Sequence, residues 1–391
     1  MVIWPCIGCR AHTSVAMSLI SIFFFSLTLT FAFAEIKLVN VLFRHGDRAP
    51  GNYIRSCPNC CDTNSDCNKF YPIGLGGLTN QGKQRVYKLG KFLRTNYDTL
   101  LGPHYISENV EAVSSDSPRT RMSLQLVLAG LYPPSKIQTW NDNIRWQPTL
   151  TSFKSNEEDT IFVPQKCQVY TSEYKRVLAS SEFKRQIDEL TPFLADLGRN
   201  MGKNATCSLL DANNLYHTLA ALKAMKLALP IWAAGIYPNG ALRKGALLQY
   251  QLYGYNDQLK RLAGGVLLRK MIDDMKNTRE KKNSNKIHLY SGHELNIVML
   301  LQTLGLYDDL IPQYSSAIII ELHEIKNKYF IKVFYYYGIP LKVDMLQIPG
   351  CTELCPLDEF TQLLEHVTPS DEDLNCRRTW LNMHITKNHY L

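Results

Sequence analysis

The apolar run Ile36-Lys-Leu-Val-Asn-Val-Leu-Phe43 constrains the fold more than any other feature of this 391-residue chain. A short run of this kind reads as a buried strand. It stops abruptly at Arg44-His45-Gly46-Asp47-Arg48-Ala49-Pro50, and a polar, Cys-rich loop follows to about Gly77. Thr79 then caps a helix whose apolar positions Val86, Leu89, Phe92, Leu93 and Tyr97 follow the helical period of about 3.6 residues. Val110–Ser114 reads as a second strand. Ser117-Pro118 opens a helix, with a capping hydroxyl before a proline at the first helical position, and Pro133-Pro134 forbids its continuation. Residues 168–255 read as mostly helical. Leu262–Lys276 reads as a helix and Ile287–Ser291 as a short strand, while Ala317–His323 and Tyr329–Tyr337 suggest an antiparallel hairpin around Lys326-Asn327-Lys328. Strands and helices alternate at both ends with a helical block between. The expected architecture is therefore an α/β core of residues 35–167 and 256–391, a central sheet flanked by helices, interrupted by a helical cap at 168–255.

The N-terminus stands apart from this pattern. Residues 18–33 are almost wholly apolar and end in Ala32-Phe33-Ala34 before the charged Glu35, which predicts a cleavable signal peptide over 1–34. An uncleaved signal anchor is the alternative reading, and Met17 is a second candidate start. Elsewhere no segment is long and apolar enough to span a bilayer, so a secreted chain without stable membrane association is expected. The formal net charge of +8 lies almost entirely beyond the leader, whose one charge is Arg10. It is spread out except for the basic loop Lys276–Lys286, which lacks the interleaved aromatics of a nucleic-acid-binding face. Such a surplus suits anionic substrates.

Nine cysteines follow the leader: Cys57, Cys60, Cys61, Cys67, Cys167, Cys207, Cys351, Cys355 and Cys376. In a secretory chain they read as disulfides, and an odd number leaves one thiol free or bonded to another chain. A zinc knuckle at Cys57-x-x-Cys60-Cys61-x5-Cys67 is the rival reading, disfavoured by the oxidising route. Asn204-Ala-Thr206 is the single glycosylation acceptor.

Three strands end in polar residues: at Arg44–Arg48, at Ser115–Arg119 and at His293-Glu294. Ligands of open parallel sheets bind outside the carboxyl ends of the strands. If these strands are neighbours, Arg44, His45, Arg48, Arg119, His293 and Glu294 converge on one pocket. Guanidiniums bind phosphate with fork geometry and keep their charge. Arg119 sits in the first turn of its helix, against the helix dipole, which is a local cost that an anion would offset. The arginines would also keep a nearby imidazole neutral, so His45 could be a nucleophile even in acid. Glu294, beginning protonated, would then be the acid toward the departing alcohol and the base toward water. Each feature alone has a bland reading: a polar turn, a helix cap, a surface salt bridge. Their joint placement at strand ends carries the argument.

Arg44-His-Gly-Asp-Arg-Ala-Pro50 resembles the R-H-G-x-R-x-P signature of the histidine acid phosphatases, and His293-Glu294 resembles their second His-acid dipeptide. The likeness extends over roughly residues 36–376, through Tyr71–Thr79, Ser115–Thr120, Trp146-Gln-Pro148 and Pro349–Pro356, and is closest to the insect secreted branch that includes venom acid phosphatases. It implies the histidine-phosphatase fold and hydrolysis of small phosphomonoesters without metal or other cofactor. His45 would be the nucleophile, with Arg44, Arg48, Arg119 and His293 holding phosphate and Glu294 as proton donor. Most of the family carries Asp at the last position. The resemblance also pairs Cys351 with Cys355 and Cys167 with Cys376, would put a third family bridge at positions held here by Ala221 and Ala317, where both cysteines are absent together, and leaves the Cys57–Cys67 cluster and Cys207 unexplained. A homodimer is common in the family, and a lysosomal destination is the alternative to secretion.

The expectation is thus a secreted acid phosphatase working through a phosphohistidine intermediate. Its rivals are a secreted phospho-ligand binding protein of the same fold with weak or lost catalysis, and a narrow-specificity lipid or inositol phosphate phosphatase. Additional basic residues on the cap side of the pocket would favour the last.

Overall fold

A computed structural model describes residues 34–60, 70–338 and 340–376. Residues 1–33 of the expected signal peptide (1–34) and two members of the cysteine cluster, Cys61 and Cys67, lie outside these described residues.

In chain order the first elements are β1 (Glu35–Arg44), α1 (Asn80–Leu101), β2 (Val110–Ser114), α2 (Pro118–Leu131) and the two-residue β3 (Ser152–Phe153). A wholly helical stretch follows: α3 (Gln168–Leu178), α4 (Ser181–Asp188), α5 (Thr191–Asn200), α6 (Leu209–Ala224) and α7 (Ala241–Tyr253). Then come α8 (Asp257–Leu262), α9 (Gly264–Arg279), β4 (Ile287–Gly292), α10 (Glu294–Thr303), β5 (Ala317–Ile325), β6 (Lys328–Tyr336) and β7 (Val343–Leu346). Last are β8 (Cys355–Pro356), α11 (Leu357–Leu363) and α12 (Asp371–Leu374).

One mixed sheet runs in the order β3-β2-β4-β1-β5-β6-β7, with β8 pairing β6. β1, β2, β3 and β4 are parallel, whereas β5, β6 and β7 are antiparallel additions. β1 lies in the middle, and the period of two along it separates two cores. Val39, Val41 and Phe43 face α1 and α2, while Leu38 and Leu42 face α9 and α10. Burial on both faces is why this strand reads as a continuous apolar run rather than an alternating one. Lys326 and Asn327 both have positive φ, 49° and 61°, and close the β5–β6 hairpin as its sequence predicts.

Two local expectations need correction. Ser117 makes no side-chain cap; its carbonyl instead accepts from the Thr120 hydroxyl at 2.8 Å, and Pro118 alone sets the helix start. The helix expected over Leu262–Lys276 is two helices, because Ala263 leaves helical geometry between α8 and α9. Gly264 then packs so tightly on α10 that a Cβ there would strike the Met299 carbonyl.

The helices α3–α8 share a third core, around Tyr170, Leu197, Leu215, Leu219, Ala246 and Tyr250, that also takes in Val298 and Met299 of α10. Cys167, just before α3, is disulfide-bonded to Cys376, just after α12, across 209 positions of sequence. Cys351–Cys355 and Cys57–Cys60 are also bonded, and Cys207 is free and buried. The Cys57–Cys60 bond removes two ligands from the zinc-knuckle alternative. Because a long loop has much closure entropy to lose, the double substitution Cys167→Ser/Cys376→Ser is expected to destabilise the protein by about 2–4 kcal/mol. A lowered urea midpoint under non-reducing conditions is the check, and an unchanged midpoint refutes it.

Candidate active site

The carboxyl ends of β1, β2 and β4 lie side by side because Arg44 pairs with Gly292 and Ser114 with Ser291 in parallel register. All six residues expected at the pocket are delivered by these ends or by the turns just beyond them. The β1 end continues into His45, whose N–H donates to the Gly292 carbonyl at 3.0 Å, and into Gly46, whose N–H donates to Ser123 Oγ at 3.2 Å. Gly46 lies against the first turn of α1, where a Cβ would collide with the Gly82 carbonyl, and Gly82 is packed equally tightly against Asp47. Only glycine fits. Gly46→Ala is expected to shift the His45 turn and to lose about 100-fold or more in rate, since displacements near 1 Å cost that much. Activity within a few-fold of the parent, measured on a variant shown to be folded by thermal unfolding, would refute it.

His45 is 1% exposed. Its Nδ1–H donates to the Gly46 carbonyl at 2.7 Å, and its Nε2 accepts from Arg119 Nε–H at 3.1 Å. A carbonyl can only accept and a guanidinium can only donate, so these two bonds define the neutral tautomer with the lone pair on Nε2. Burial, then the charges of Arg119 and Arg44, hold the imidazole well below its ordinary pKa.

Arg119 also reaches His293, with Nη2 3.3 Å from Nδ1. The other ring nitrogen of His293 lies 3.0 Å from Ser115 Oγ, which in turn lies 2.9 Å from Thr120 Oγ1. Burial first, then Arg119, lower His293 to about 3. Arg119 itself is lowered to about 10, by burial and then by the nearby charge of Arg48. Glu294 opposes that lowering of Arg119 without cancelling it, so the crowded guanidiniums favour an anion between them. Arg48 is half-buried and donates to the Ala49 carbonyl at 3.0 Å.

Arg44 is held more firmly. Its Nη1 donates to the Pro312 carbonyl at 2.7 Å, its guanidinium stacks 4.1 Å over the Tyr314 ring, and Nε lies 3.1 Å from Glu294 Oε2. Nη2 is buried without a protein partner. Glu294 opens α10, with His293 as its N-cap: the His293 N–H donates to Asn296 Oδ1 at 2.8 Å. Burial would raise the Glu294 carboxyl, but the charge of Arg44 outweighs it and brings it well below its ordinary value. Before substrate binds, Arg44 at 3.1 Å therefore favours the carboxylate form, and the proton that the expected acid carries has to be acquired in the complex.

The sequence reading missed His217, Tyr250, Tyr314 and Ser115. His217 lies 3.9 Å from Glu294 Oε1, and Tyr314 underlies Arg44. His217 sits among apolar residues of α6, where its only signal was a buried helix position occupied by a titratable group. Beside Arg44 and His217 opens a cavity of about 400 Å³, lined also by Tyr216, Tyr237, Tyr314 and Lys223.

A neutral imidazole beside clustered arginines at parallel strand ends, with a carboxyl group across from it, defines a class of phosphate-transferring sites that work through histidine. The chain belongs to the histidine phosphatase superfamily (branch 2), whose family profile matches residues 35–336. It is 44% identical over 353 residues to the venom acid phosphatase of Apis mellifera, covering 89% of each chain. It is 30% identical over 379 residues to the prostatic acid phosphatase of Homo sapiens, covering 96% of each. Its fold is similar to that of a Hafnia alvei phytase, with a TM-score of 0.64 at 18% identity over 87% of this chain and 98% of that one.

Proposed function

We propose that this protein is a secreted acid phosphatase that hydrolyses small phosphate monoesters in two displacements at phosphorus. The observation that carries the reading is His45 Nε2, an unprotonated nucleophile bonded only to a phosphate-binding guanidinium. Phosphate oxygens take the free donors of Arg44, Arg48 and Arg119, and His293 completes the cradle. The Nε2 lone pair forms the P–N bond while the ester P–O bond breaks, and the alcohol leaves with a proton from Glu294. Glu294, now ionised, takes a proton from water as the water oxygen attacks phosphorus. The P–N pair returns to His45, phosphate departs, and Glu294 is protonated again.

Glu294 reaches the protonated state in the complex. A bound phosphate takes the free Nη2 of Arg44, shares that guanidinium's charge with the carboxylate and adds negative charge next to it, and both effects raise its pKa. The segment 168–255 serves as a cap, closing the leaving-group side with Tyr216, His217 and Tyr237. Lys223 is the one Lys or Arg that this segment contributes to the cavity beside Arg44, which Arg85 also lines. Identity to acid phosphatases, and a nucleophile held neutral, favour catalysis over phosphate binding alone. The names of venom and lysosomal relatives support a secretory destination, and exposed Asn204 is its glycosylation acceptor. Among the described residues no helix is long and apolar enough to cross a membrane. The test is acid quenching during turnover of a labelled aryl phosphate. An acid-labile, base-stable phosphoprotein that disappears with His45→Ala supports the reading; no label on the parent protein refutes it.

A further inference from the structure

His217 is 4% exposed and lies on α6 with Leu215, Leu219 and Leu222, all of them buried. A titratable ring in such a place costs stability unless it has partners. Its Nε2 lies 2.5 Å from Tyr250 OH on α7 and 3.9 Å from Glu294 Oε1 on α10, while Nδ1 is buried without a protein partner. The charged and titratable groups facing the ring are therefore Glu294 from α10, Tyr250 from α7, Arg44 from β1, Arg48 from the turn beyond it, and Tyr216, whose ring centroid is 5.7 Å away within α6. Burial lowers His217 to about 4, so the ring is neutral.

Glu294 is gripped on Oε2 by Arg44 alone. When a phosphate takes the free Nη2 of Arg44, the guanidinium charge is shared between two anions, and that grip weakens at the moment the carboxyl must be aimed at the leaving oxygen. A glutamate has one more rotatable bond to immobilise than an aspartate. His217 faces the opposite oxygen from 3.9 Å through the same Nε2 that is bonded to Tyr250 OH, so it reaches the carboxyl by a small shift in which Tyr250 and Oε1 share the Nε2–H. Its own orientation is held by Tyr250.

We propose that His217 is the positioning residue for Glu294, holding the carboxyl on the leaving oxygen while Arg44 is engaged with phosphate. This rests on the reading of Glu294 as the proton donor. A residue that acts by aiming an acid matters in proportion to how much the leaving group needs a proton. Nitrophenolate leaves readily without one; an alkoxide does not.

The experiment measures kcat for His217→Ala and His217→Gln on a simple alkyl phosphate and on a nitrophenyl phosphate, with inhibition by inorganic phosphate and thermal unfolding alongside. For His217→Ala, kcat on the alkyl ester is expected to fall about 10–100-fold and on the nitrophenyl ester by about threefold or less, with phosphate inhibition unchanged. His217→Gln, which keeps a polar atom on the ring's side of the carboxyl, is expected to recover part of the alkyl rate and covers the case of an unstable alanine variant. Equal losses on the two esters in the folded variants, or no loss on either, would overturn the proposal. Glu294→Gln run in parallel separates the two ideas. If it too shows no dependence on the leaving group, the acid assignment itself is wrong; if it does and His217 variants do not, only the positioning role falls.

Discussion

His45→Ala is expected to release phosphate from an aryl phosphate on the order of 10⁴–10⁶-fold more slowly than the parent protein, the scale on which removing a covalent nucleophile acts. The substitution deletes the Nε2 lone pair that the proposal makes the nucleophile. That lone pair accepts from Arg119 at 3.1 Å; His293 also faces Arg119, through Nδ1 at 3.3 Å, and is the group the proposal assigns to holding phosphate. The arginines remain, so affinity for inorganic phosphate should change far less than the rate. That split distinguishes loss of the nucleophile from collapse of the site, which would lose both. Phosphate release from the purified variant between about pH 4 and 8, with phosphate inhibition measured in parallel, is the check. A variant within tenfold of the parent would place the nucleophile elsewhere.

The second large effect concerns Glu294 and pH. Glu294→Gln is expected to lose about 10²–10⁴-fold in kcat on an alkyl ester, the usual contribution of a general acid. The sign of the pH dependence follows from the proton it must carry. Raising the pH removes that proton, so the rate falls as pH rises through the pKa of Glu294. With Arg44 at 3.1 Å the carboxyl sits well below its ordinary value, whereas in the substrate complex the phosphate charge moves it up. The alkaline limb of kcat should therefore lie at higher pH than that of kcat/KM, which reports the protein before binding. His45, held well below its ordinary value, stays unprotonated through the mildly acidic range, so the same range keeps the nucleophile ready. Glu294→Gln should lack the alkaline limb of kcat. A limb retained in that variant would assign it to another group.

Much of this was legible along the chain because the signals are local. Val110–Ser114 and the β5–β6 turn are determined by runs of β-branched residues and by residues that tolerate positive φ, so reading them needs no knowledge of their neighbours. Thr79 announces α1 by the same logic, as its side chain accepts from the Gly82 N–H at 3.0 Å. Ser117 failed the same test because the Thr120 N–H that its hydroxyl would have capped donates to the Ser117 carbonyl at 3.0 Å instead.

The chemical inventory of the site, and its delivery to strand ends, were likewise determined by sequence alone: polar residues directly after apolar runs have nowhere else to go in an open α/β sheet. Protonation and partnership were not. His217 and Glu294 are far apart along the chain, and Tyr314 lies under Arg44 only because the segment leading into β5 returns beside the end of β1. Whether Glu294 starts ionised depends on the balance between burial, which opposes charge, and Arg44, which favours it. Both are sums over distances between atoms that only the folded chain brings together.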